Sequence, residues 1–160
     1  MISLRPVRHR DVRPLGRLSV APDQQDLVSP NLATLAEAPF VAGSHVWGLW
    51  SAGARVGLLA MVHDRAAAPA PDLDGNAAYL WRLMIDARRQ GRGFGAAAVR
   101  SAMAIARGWG AAGLSAHVAD APHAALDFYR GLGFAPTGRA IGEGDAREIE
   151  IFARVPPPGA

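Results

Sequence analysis

Apolar residues recur along this chain with two different periods, and each period predicts one kind of element. Residues 79–85, YLWRLMI, are apolar except for one arginine, and such a run is typical of a strand buried on both faces. Residues 93–107 follow with an apolar stripe at spacings of three and four, which predicts a helix. The stripe consists of Phe94, Ala98, Ala102, Ile105 and Trp109.

The remaining elements are predicted from the same patterns and from turn residues. Strands are expected at residues 2–7, 45–50, 56–62, 113–118, 134–139 and 148–153. Helices are expected at residues 11–20, in a short segment capped by Ser29, and at residues 121–132. Strands interspersed with helices predict a mixed α/β sheet. We expect one domain over residues 1–155, with a turn-rich connector at 66–76 and a Pro-rich tail at 156–160.

The composition restricts the class of protein. Half of the 160 residues are hydrophobic and 19% are charged, which argues against a disordered chain. No apolar run reaches the roughly 18 residues of a membrane span. The N-terminal segment carries Arg5, Arg8 and Arg10 and does not resemble a signal peptide, so we expect a cytoplasmic protein without a membrane partner. Cysteine is absent and the five histidines are scattered, so we expect no metal site.

The positive charge comes from arginine alone. The net charge is +3, and no lysine is present. The one dense cluster, Arg88, Arg89 and Arg92, adjoins a glycine-rich turn, which suits a single small phosphate ligand better than a nucleic acid. A nucleic-acid-binding module would instead present a continuous basic face and bind with steep salt dependence.

That turn is the most informative segment of the sequence. Gly91, Gly93 and Gly95 lie between the buried strand and the predicted helix. Glycines allow the backbone to approach an anion, and the free N–H groups of the first helical turn point toward it. The spacing is not that of a dinucleotide fingerprint, and the P-loop lysine is missing. The alternative is a turn that merely connects strand to helix.

Two sequence blocks resemble a known family. QGRGFG at residues 90–95 resembles the Gln/Arg-x-x-Gly-x-Gly/Ala motif of the GCN5-related N-acetyltransferase (GNAT) superfamily. AALDFYRGLGF at residues 124–134 is similar to the family's A-x-x-F-Y-x-x-L-G-F segment. QQDLVSPN at residues 24–31 and LWRLMID at residues 80–86 further resemble bacterial spermine/spermidine acetyltransferases. The resemblance implies a mixed, mostly antiparallel sheet of six to seven strands, flanked by about four helices and splayed at an acetyl-CoA site.

The resemblance also implies roles for individual residues. The strand backbone of three residues would bind the pantetheine arm, the glycine turn would wrap the pyrophosphate, and Arg88 and Arg89 would reach the phosphates. Tyr129 would protonate the departing thiolate. Pro122 stands where many members carry a cofactor-binding asparagine, so one cofactor contact is in doubt. The residues at the family's cofactor positions are Leu83, Met84, Ile85, Arg88, Arg89, Gln90, Gly91, Arg92, Gly93, Phe94, Gly95 and Ala96.

The acceptor implied by the resemblance is a primary amine, with polyamines the first expectation, and dimers are frequent in the superfamily. An alkyl amine is protonated at pH 7, so a carboxylate must remove its proton or the site must lower its pKa. The candidates for this base, or for binding the acceptor, are Glu37, Asp86, Asp23 and Asp26. Two alternatives stay open: another amine acceptor, such as an aminoglycoside, an amino acid or a protein N-terminus, and a non-catalytic CoA-binding domain.

Overall fold

Seven strands form a single open sheet in the order β1-β2-β3-β4-β5-β7-β6. The computed structural model describes residues 1–63, 77–122 and 125–155, so the connector predicted at 66–76 and the tail at 156–160 lie outside the described residues. The strands are β1 (Ser3–Pro6), β2 (Ser44–Ser51), β3 (Ala54–Val62), β4 (Ala77–Ile85), β5 (Gly113–Ala119), β6 (Ala135–Ile141) and β7 (Glu148–Arg154). Every pairing is antiparallel except that of β4 with β5. The expected mixed, mostly antiparallel sheet is confirmed.

Four α-helices accompany the sheet in the described part of the chain. They are α1 (His9–Gly16), α2 (Asn31–Glu37), α3 (Phe94–Gly108) and α4 (Leu126–Arg130). Short 3-10 turns cover Pro22–Gln24, Ala38–Phe40, Ala87–Arg89 and Gly144–Ala146. None of the helices among the described residues is long and apolar enough to cross a membrane.

Three helices differ from the prediction. α1 ends at Gly16 rather than at residue 20, and it begins at His9 rather than at residue 11, because the carboxylate of Asp11 accepts the backbone N–H of Arg8 at 3.2 Å and closes the first turn. The N-cap of α2 is Pro30 and makes no side-chain hydrogen bond, so Ser29 is not its cap. α4 begins at Leu126, and the exposed Pro122 precedes it in a turn. The predicted helix of residues 121–132 was therefore too long at both ends.

Two apolar clusters hold the sheet, one on each face. α3 covers the larger cluster with its buried alanines Ala98, Ala102 and Ala106, which allow close approach to the strands. On the other face Tyr79 and Trp81 pack with Leu58, and Leu35 of α2 packs against them. Both faces of β4 are thus buried, as its apolar run predicts.

A β-bulge in β4 changes which side chains face each cluster. Arg82 pairs with Ala60 while Leu80 pairs with Met61, so Trp81 is an additional residue in β4. As a consequence Leu80 and Leu83, three positions apart, both face the α3 cluster. The bulge lies where β4 leaves its parallel partner, and it positions the side chains of the site described next.

Candidate active site

β4 and β5 separate partway along their length and open a cleft. They pair only from Ala77↔Gly113 to Leu80↔Ala116, whereas β4 continues to Ile85 and β5 to Ala119. The cleft forms a cavity of about 810 Å³ that extends to the glycine turn, α4 and the segment before α2. Leu83, Met84 and Ile85 line it, as predicted for a strand that receives an extended ligand. Beyond the separation, the β5 side of β4 can hydrogen-bond an amide-containing chain as a neighbouring strand would.

The glycine turn forms one end of the cavity. Gly91 and Gly93 have φ of 72° and 77°, left-handed values that favour glycine, and the space around both is open. Gly93 is also the N-cap of α3 and has no capping side chain. The N–H groups of Phe94, Gly95 and Ala96 in the first turn therefore have no intrahelical acceptor. These three residues line the cavity with Arg89, Gln90 and Gly91, which gives it an anion-binding end.

The arginines of the cluster are placed differently from one another. Arg89 lines the cavity. Arg88 is 78% exposed, and its Nε donates to Oδ2 of Asp86 at 3.0 Å. Arg92 is exposed beside the turn and is absent from the cavity wall. Of the three, Arg89 is thus the one positioned at the anion-binding end.

Asp86, a predicted base candidate, anchors the loop that follows β4. Its side chain is buried, and besides Arg88 it accepts the backbone N–H of Ser19 at 3.4 Å. Its own N–H donates to the Val56 carbonyl at 2.9 Å. Asp86 is not part of the cavity wall.

The other acidic candidates lie on the surface of the segment around α2. Asp23, Asp26 and Glu37 are exposed and do not line the cavity. Glu37 lies 3.9 Å from Arg82, which does line it. The acid in the described cavity wall is instead Glu148 of β7.

The segment before α2 nevertheless reaches the cavity through uncharged side chains. Gln24, Leu27, Val28, Ser29 and Asn31 line it. Nε2 of Gln90 donates to Oε1 of Gln24 at 2.9 Å and to the Ile85 carbonyl at 3.1 Å. The side chain of Gln90 therefore connects the glycine turn to the segment predicted to bind the acceptor.

Tyr129 of α4 lies at the cavity, as expected. It is 8% exposed and packs between Phe128 and Phe134, with ring centroids 5.0 and 5.2 Å away. Burial raises the pKa of Tyr129 well above its usual value of about 10, and the neighbouring Tyr79 raises it further. The phenol therefore holds its proton at neutral pH.

Three residues at and behind the cavity were not predicted from the sequence as site residues. Oη of Tyr79 lies 3.2 Å from Nδ1 of His117, and both residues line the cavity. Nε2 of His117 in turn lies 3.8 Å from Oε2 of Glu150, which is fully buried. The sequence gives little sign that Glu150 is buried, because Glu148 and Glu150 alternate with isoleucines as solvent-facing residues of an edge strand do. In the structure β6 pairs with β7, so β7 is not an edge strand, and Thr137 and Arg139 of β6 bond the Glu150 side chain.

The family follows from a sequence comparison that spans both blocks of the motif. The sequence model described as "Acetyltransferase (GNAT) family" matches residues 17–134. The chain belongs to this family. It is accordingly an acetyl-CoA-dependent N-acetyltransferase by family, with the seven-stranded, splayed sheet described above.

Solved structures of several other proteins share the fold at low sequence identity. Ard1 from Thermoplasma volcanium is 16% identical, with a TM-score of 0.71 over 97% of this chain and 98% of that one. Spermidine N-acetyltransferase from Vibrio cholerae, solved with CoA and spermine, is 16% identical, with a TM-score of 0.71 over 96% and 95%. The ribosomal-protein-S18-alanine N-acetyltransferase from Escherichia coli is 17% identical, with a TM-score of 0.68 over 99% and 97%. No curated protein matches the sequence significantly.

Proposed function

We propose that this GNAT protein moves the acetyl group of acetyl-CoA to a primary amine by direct attack of the amine on the thioester. The observation that carries the proposal is the cleft between β4 and β5, which leads from the anion-binding glycine turn to Tyr129. The same cavity contains both a place for a phosphorylated, amide-containing donor and a proton-holding phenol.

The residues present fit acetyl-CoA. The open space at Gly91 and Gly93 admits a pyrophosphate, and the first-turn N–H groups of α3 with Arg89 provide its hydrogen bonds. The β5 side of β4 at Leu83–Ile85 offers strand-like hydrogen bonds to the pantetheine amides. Acetyl-CoA supplies the activated acyl group. Pro122 is not among the described residues that line the cavity.

Tyr129 is the proposed acid for the departing thiolate. As the C–S bond of the thioester breaks, the phenolic proton passes to sulfur. The phenolate then regains a proton from the nitrogen that has become the amide. Its elevated pKa makes Tyr129 a weak acid, but it also keeps the phenol protonated over the whole neutral range.

Polyamines remain the first acceptor class proposed from the sequence. Glu148 is the acid in the described cavity wall that supports binding of a cationic acceptor. A polycation is opposed by Arg82 and Arg89 in the same wall. The Nη1 of Arg82 donates to the Trp81 carbonyl at 2.9 Å, and its Nη2 is 3.9 Å from Glu37, outside hydrogen-bond range.

Arg82 therefore favours a second candidate acceptor, an α-amino group that carries a carboxylate or peptide carbonyl nearby. A guanidinium with free donors binds such groups through charge-assisted hydrogen bonds. The two classes are separated by comparing the rates with which different amines are acetylated. Spermidine and spermine represent the polyamines, and phenylalanine and a short peptide represent the second class. Phenylalanine is compared with its decarboxylated amine, which lacks the carboxylate. Glu148→Gln should weaken polyamine turnover, and Arg82→Gln should weaken turnover of the carboxylate-bearing acceptor.

The reaction itself is tested by release of CoA thiol, which a protein without cysteine does not confound. We expect amine-dependent release by the wild type, and a fall in kcat of about 10²-fold or more in Tyr129→Phe. The substitution keeps the ring packed between Phe128 and Phe134, so acetyl-CoA binding and the Tm should change little. An unchanged kcat would remove Tyr129 from the mechanism.

The non-catalytic alternative predicts a different result. Acetyl-CoA would then bind, measured by calorimetry, without thiol release for any amine. The cytoplasmic location and the homodimer expected from the sequence also remain predictions. Light scattering on the purified protein tests the dimer, and fractionation of the producing cell tests the location.

A further inference from the structure

Three buried side chains on three neighbouring strands form a continuous series that begins at the cavity. They are Tyr79 on β4, His117 on β5 and Glu150 on β7, called here the buried relay. His117 and Glu150 are direct partners in the β5–β7 register, and Tyr79 pairs with Ser115, two residues before His117. Tyr79 is 4% exposed, and the side chains of His117 and Glu150 are 2% and 0% exposed.

The carboxylate of Glu150 is fixed on one side and faces the imidazole on the other. Its Oε1 accepts the hydroxyl of Thr137 at 3.1 Å and Nε of Arg139 at 3.0 Å. Its Oε2 lies 3.8 Å from Nε2 of His117. This separation is longer than a hydrogen bond, so the carboxylate acts through its charge, which favours the tautomer with the proton on Nε2. Nδ1 is then the acceptor for the phenolic O–H of Tyr79, 3.2 Å away.

This arrangement matches a need of the proposed reaction. An alkyl amine with a pKa of about 10.4 is deprotonated in only about one molecule in 2,500 at pH 7. A base within reach of the cavity meets this need by accepting the proton. Asp23, Asp26, Glu37 and Asp86 do not line the cavity, whereas Glu148, Tyr79 and His117 do. Of these three, Tyr79 and His117 contact each other, and His117 also faces the buried carboxylate of Glu150.

We propose that the buried relay is the base of this enzyme, an inference that rests on the acetyl transfer proposed above. The ammonium of the acceptor gives a proton to Oη of Tyr79, directly or across one water. The proton of Tyr79 passes to Nδ1 of His117, and the resulting imidazolium is stabilised by the Glu150 carboxylate. After the amide leaves, the proton returns along the same path to water in the cavity. Tyr129 carries out the separate proton transfer to sulfur.

Tyr79 and His117 are thus proposed catalytic residues, and Glu150 is a positioning residue that acts through His117. Within the described part of the chain, the titratable groups facing His117 include Tyr79 from β4 and Glu150 from β7, and Arg139 from β6 faces Glu150. Glu148 of β7 and Tyr129 of α4 line the same cavity. Nε of Arg139 lies 3.0 Å from Oε1 of Glu150 and offsets the charge of the carboxylate.

The test is a set of pH–rate profiles for Tyr79→Phe, His117→Gln and Glu150→Gln with an alkyl amine acceptor. We expect the first two to lower kcat about 10²-fold or more at pH 7 and to recover steadily as the pH approaches the pKa of the amine. Tyr129→Phe should show no such recovery. Glu150→Gln removes the charge that stabilises the imidazolium, so the ascending limb should move to lower pH with a reduced plateau.

The matched control is Ser115→Ala, a buried β5 neighbour whose hydroxyl bonds the Ala78 carbonyl outside the cavity wall. Its profile should match the wild type. The proposal is overturned if Tyr79→Phe and His117→Gln stay within threefold of the wild type at every pH. It is equally overturned if their losses persist at high pH while acetyl-CoA binding is intact.

A second measurement keeps this result separate from failure of the proposed function. Nitrogen NMR of the His117 ring in the full protein should show Nε2 protonated and Nδ1 accepting, with a changed Nδ1 signal in Tyr79→Phe. A neutral ring protonated on Nδ1 would overturn the relay whether or not Glu150→Gln folds. If the wild type acetylates no amine, the proposed function fails and the catalytic role of the relay fails with it. The NMR result still tests whether His117 has the proposed tautomer and accepts the hydrogen bond of Tyr79.

Discussion

At the scale of single residues, the surroundings of a side chain decide its chemistry more than its type does. Tyr129 and Tyr79 border one cavity, yet Tyr129 packs between two phenylalanine rings while Tyr79 contacts an imidazole. The first environment favours a phenol that keeps its proton, and the second offers a path along which a proton can leave. One residue type can thereby hold two roles in the same proposed reaction.

Asp11 provides a residue-scale prediction about stability. Nη2 of Arg55 donates to its carboxylate at 2.6 Å, and this bond together with the Arg8 N–H holds the pKa of Asp11 below its usual range. A carboxyl whose pKa is lowered on folding stabilises the protein above the unfolded pKa of about 3.9, and the contribution is lost as the pH falls through the folded value.

We therefore expect Asp11→Asn to lower the Tm at pH 7, and the difference from the wild type to shrink at pH 3. Thermal melts followed by circular dichroism at both pH values check this. The exposed Glu143 provides the control, since Glu143→Gln should leave the Tm nearly unchanged. An equal Tm deficit at both pH values would contradict the assigned role of the carboxylate.

The position of a residue at the cavity could be predicted from the sequence where a local motif carries it, whereas the roles of these residues stay predictions. The position of Tyr129 at the cavity followed from its block, because helix, tyrosine and following strand are close in sequence. Tyr79, His117 and Glu150 come together only through pairing of strands that are up to 71 positions apart, counted from 79 to 150. Likewise, whether Asp86 faces the cavity or anchors a loop depends on Ser19 and Val56, which no local pattern reveals.

At the scale of elements, the glycine turn joins two units that were both predicted from periodicity. The strand expected at 79–85 is β4 (Ala77–Ile85), and the helix expected at 93–107 is α3 (Phe94–Gly108). The bulge at Trp81 was not predictable, because it depends on the register with β3 rather than on the composition of β4.

Gly93 and Gly95 give a matched pair of substitutions within this turn. Gly93 adopts φ of 77°, where alanine is strained by roughly 1–2 kcal/mol. A Cβ on Gly95 would lie 3.2 Å from the ring of Phe128, which is 39% exposed and free to shift. We expect Gly93→Ala to raise the Kd for acetyl-CoA about tenfold, and Gly95→Ala to change it less than about threefold.

Calorimetric titration of both variants with acetyl-CoA decides this point. Melting curves recorded alongside separate weaker binding from loss of folded protein. Wild-type affinity in Gly93→Ala would show that the left-handed turn does not shape the anion-binding end.

At the scale of the whole molecule, the sheet consists of two parts that meet at the β4–β5 pairing. β1 to β4 form one part, and β5, β7 and β6 form the other. The strand order follows from contacts between distant segments, and no local pattern of the sequence predicts it. The cleft is likewise a property of the assembled sheet.

A ligand that bonds to the β5 side of β4 should stabilise the whole fold. At a hundredfold excess over Kd, acetyl-CoA should add about 2.7 kcal/mol, or roughly 5–10 °C in Tm for a domain of this size. Hydrogen exchange should slow most at residues 82–85 and in the first turn of α3. No shift in Tm at saturating acetyl-CoA would contradict the assignment of this cleft.

The short pairing between β4 and β5 has a mechanical consequence. Among the described residues, four residue pairs join the two parts of the sheet, all at one end. A load that pulls the parts away from each other therefore concentrates on the last pair, Leu80 and Ala116, as stress concentrates at the tip of a crack. A molecule bound to the open edges of both strands would add a second connection between the two parts. The force needed to separate β4 from β5 would then increase when the cleft is occupied.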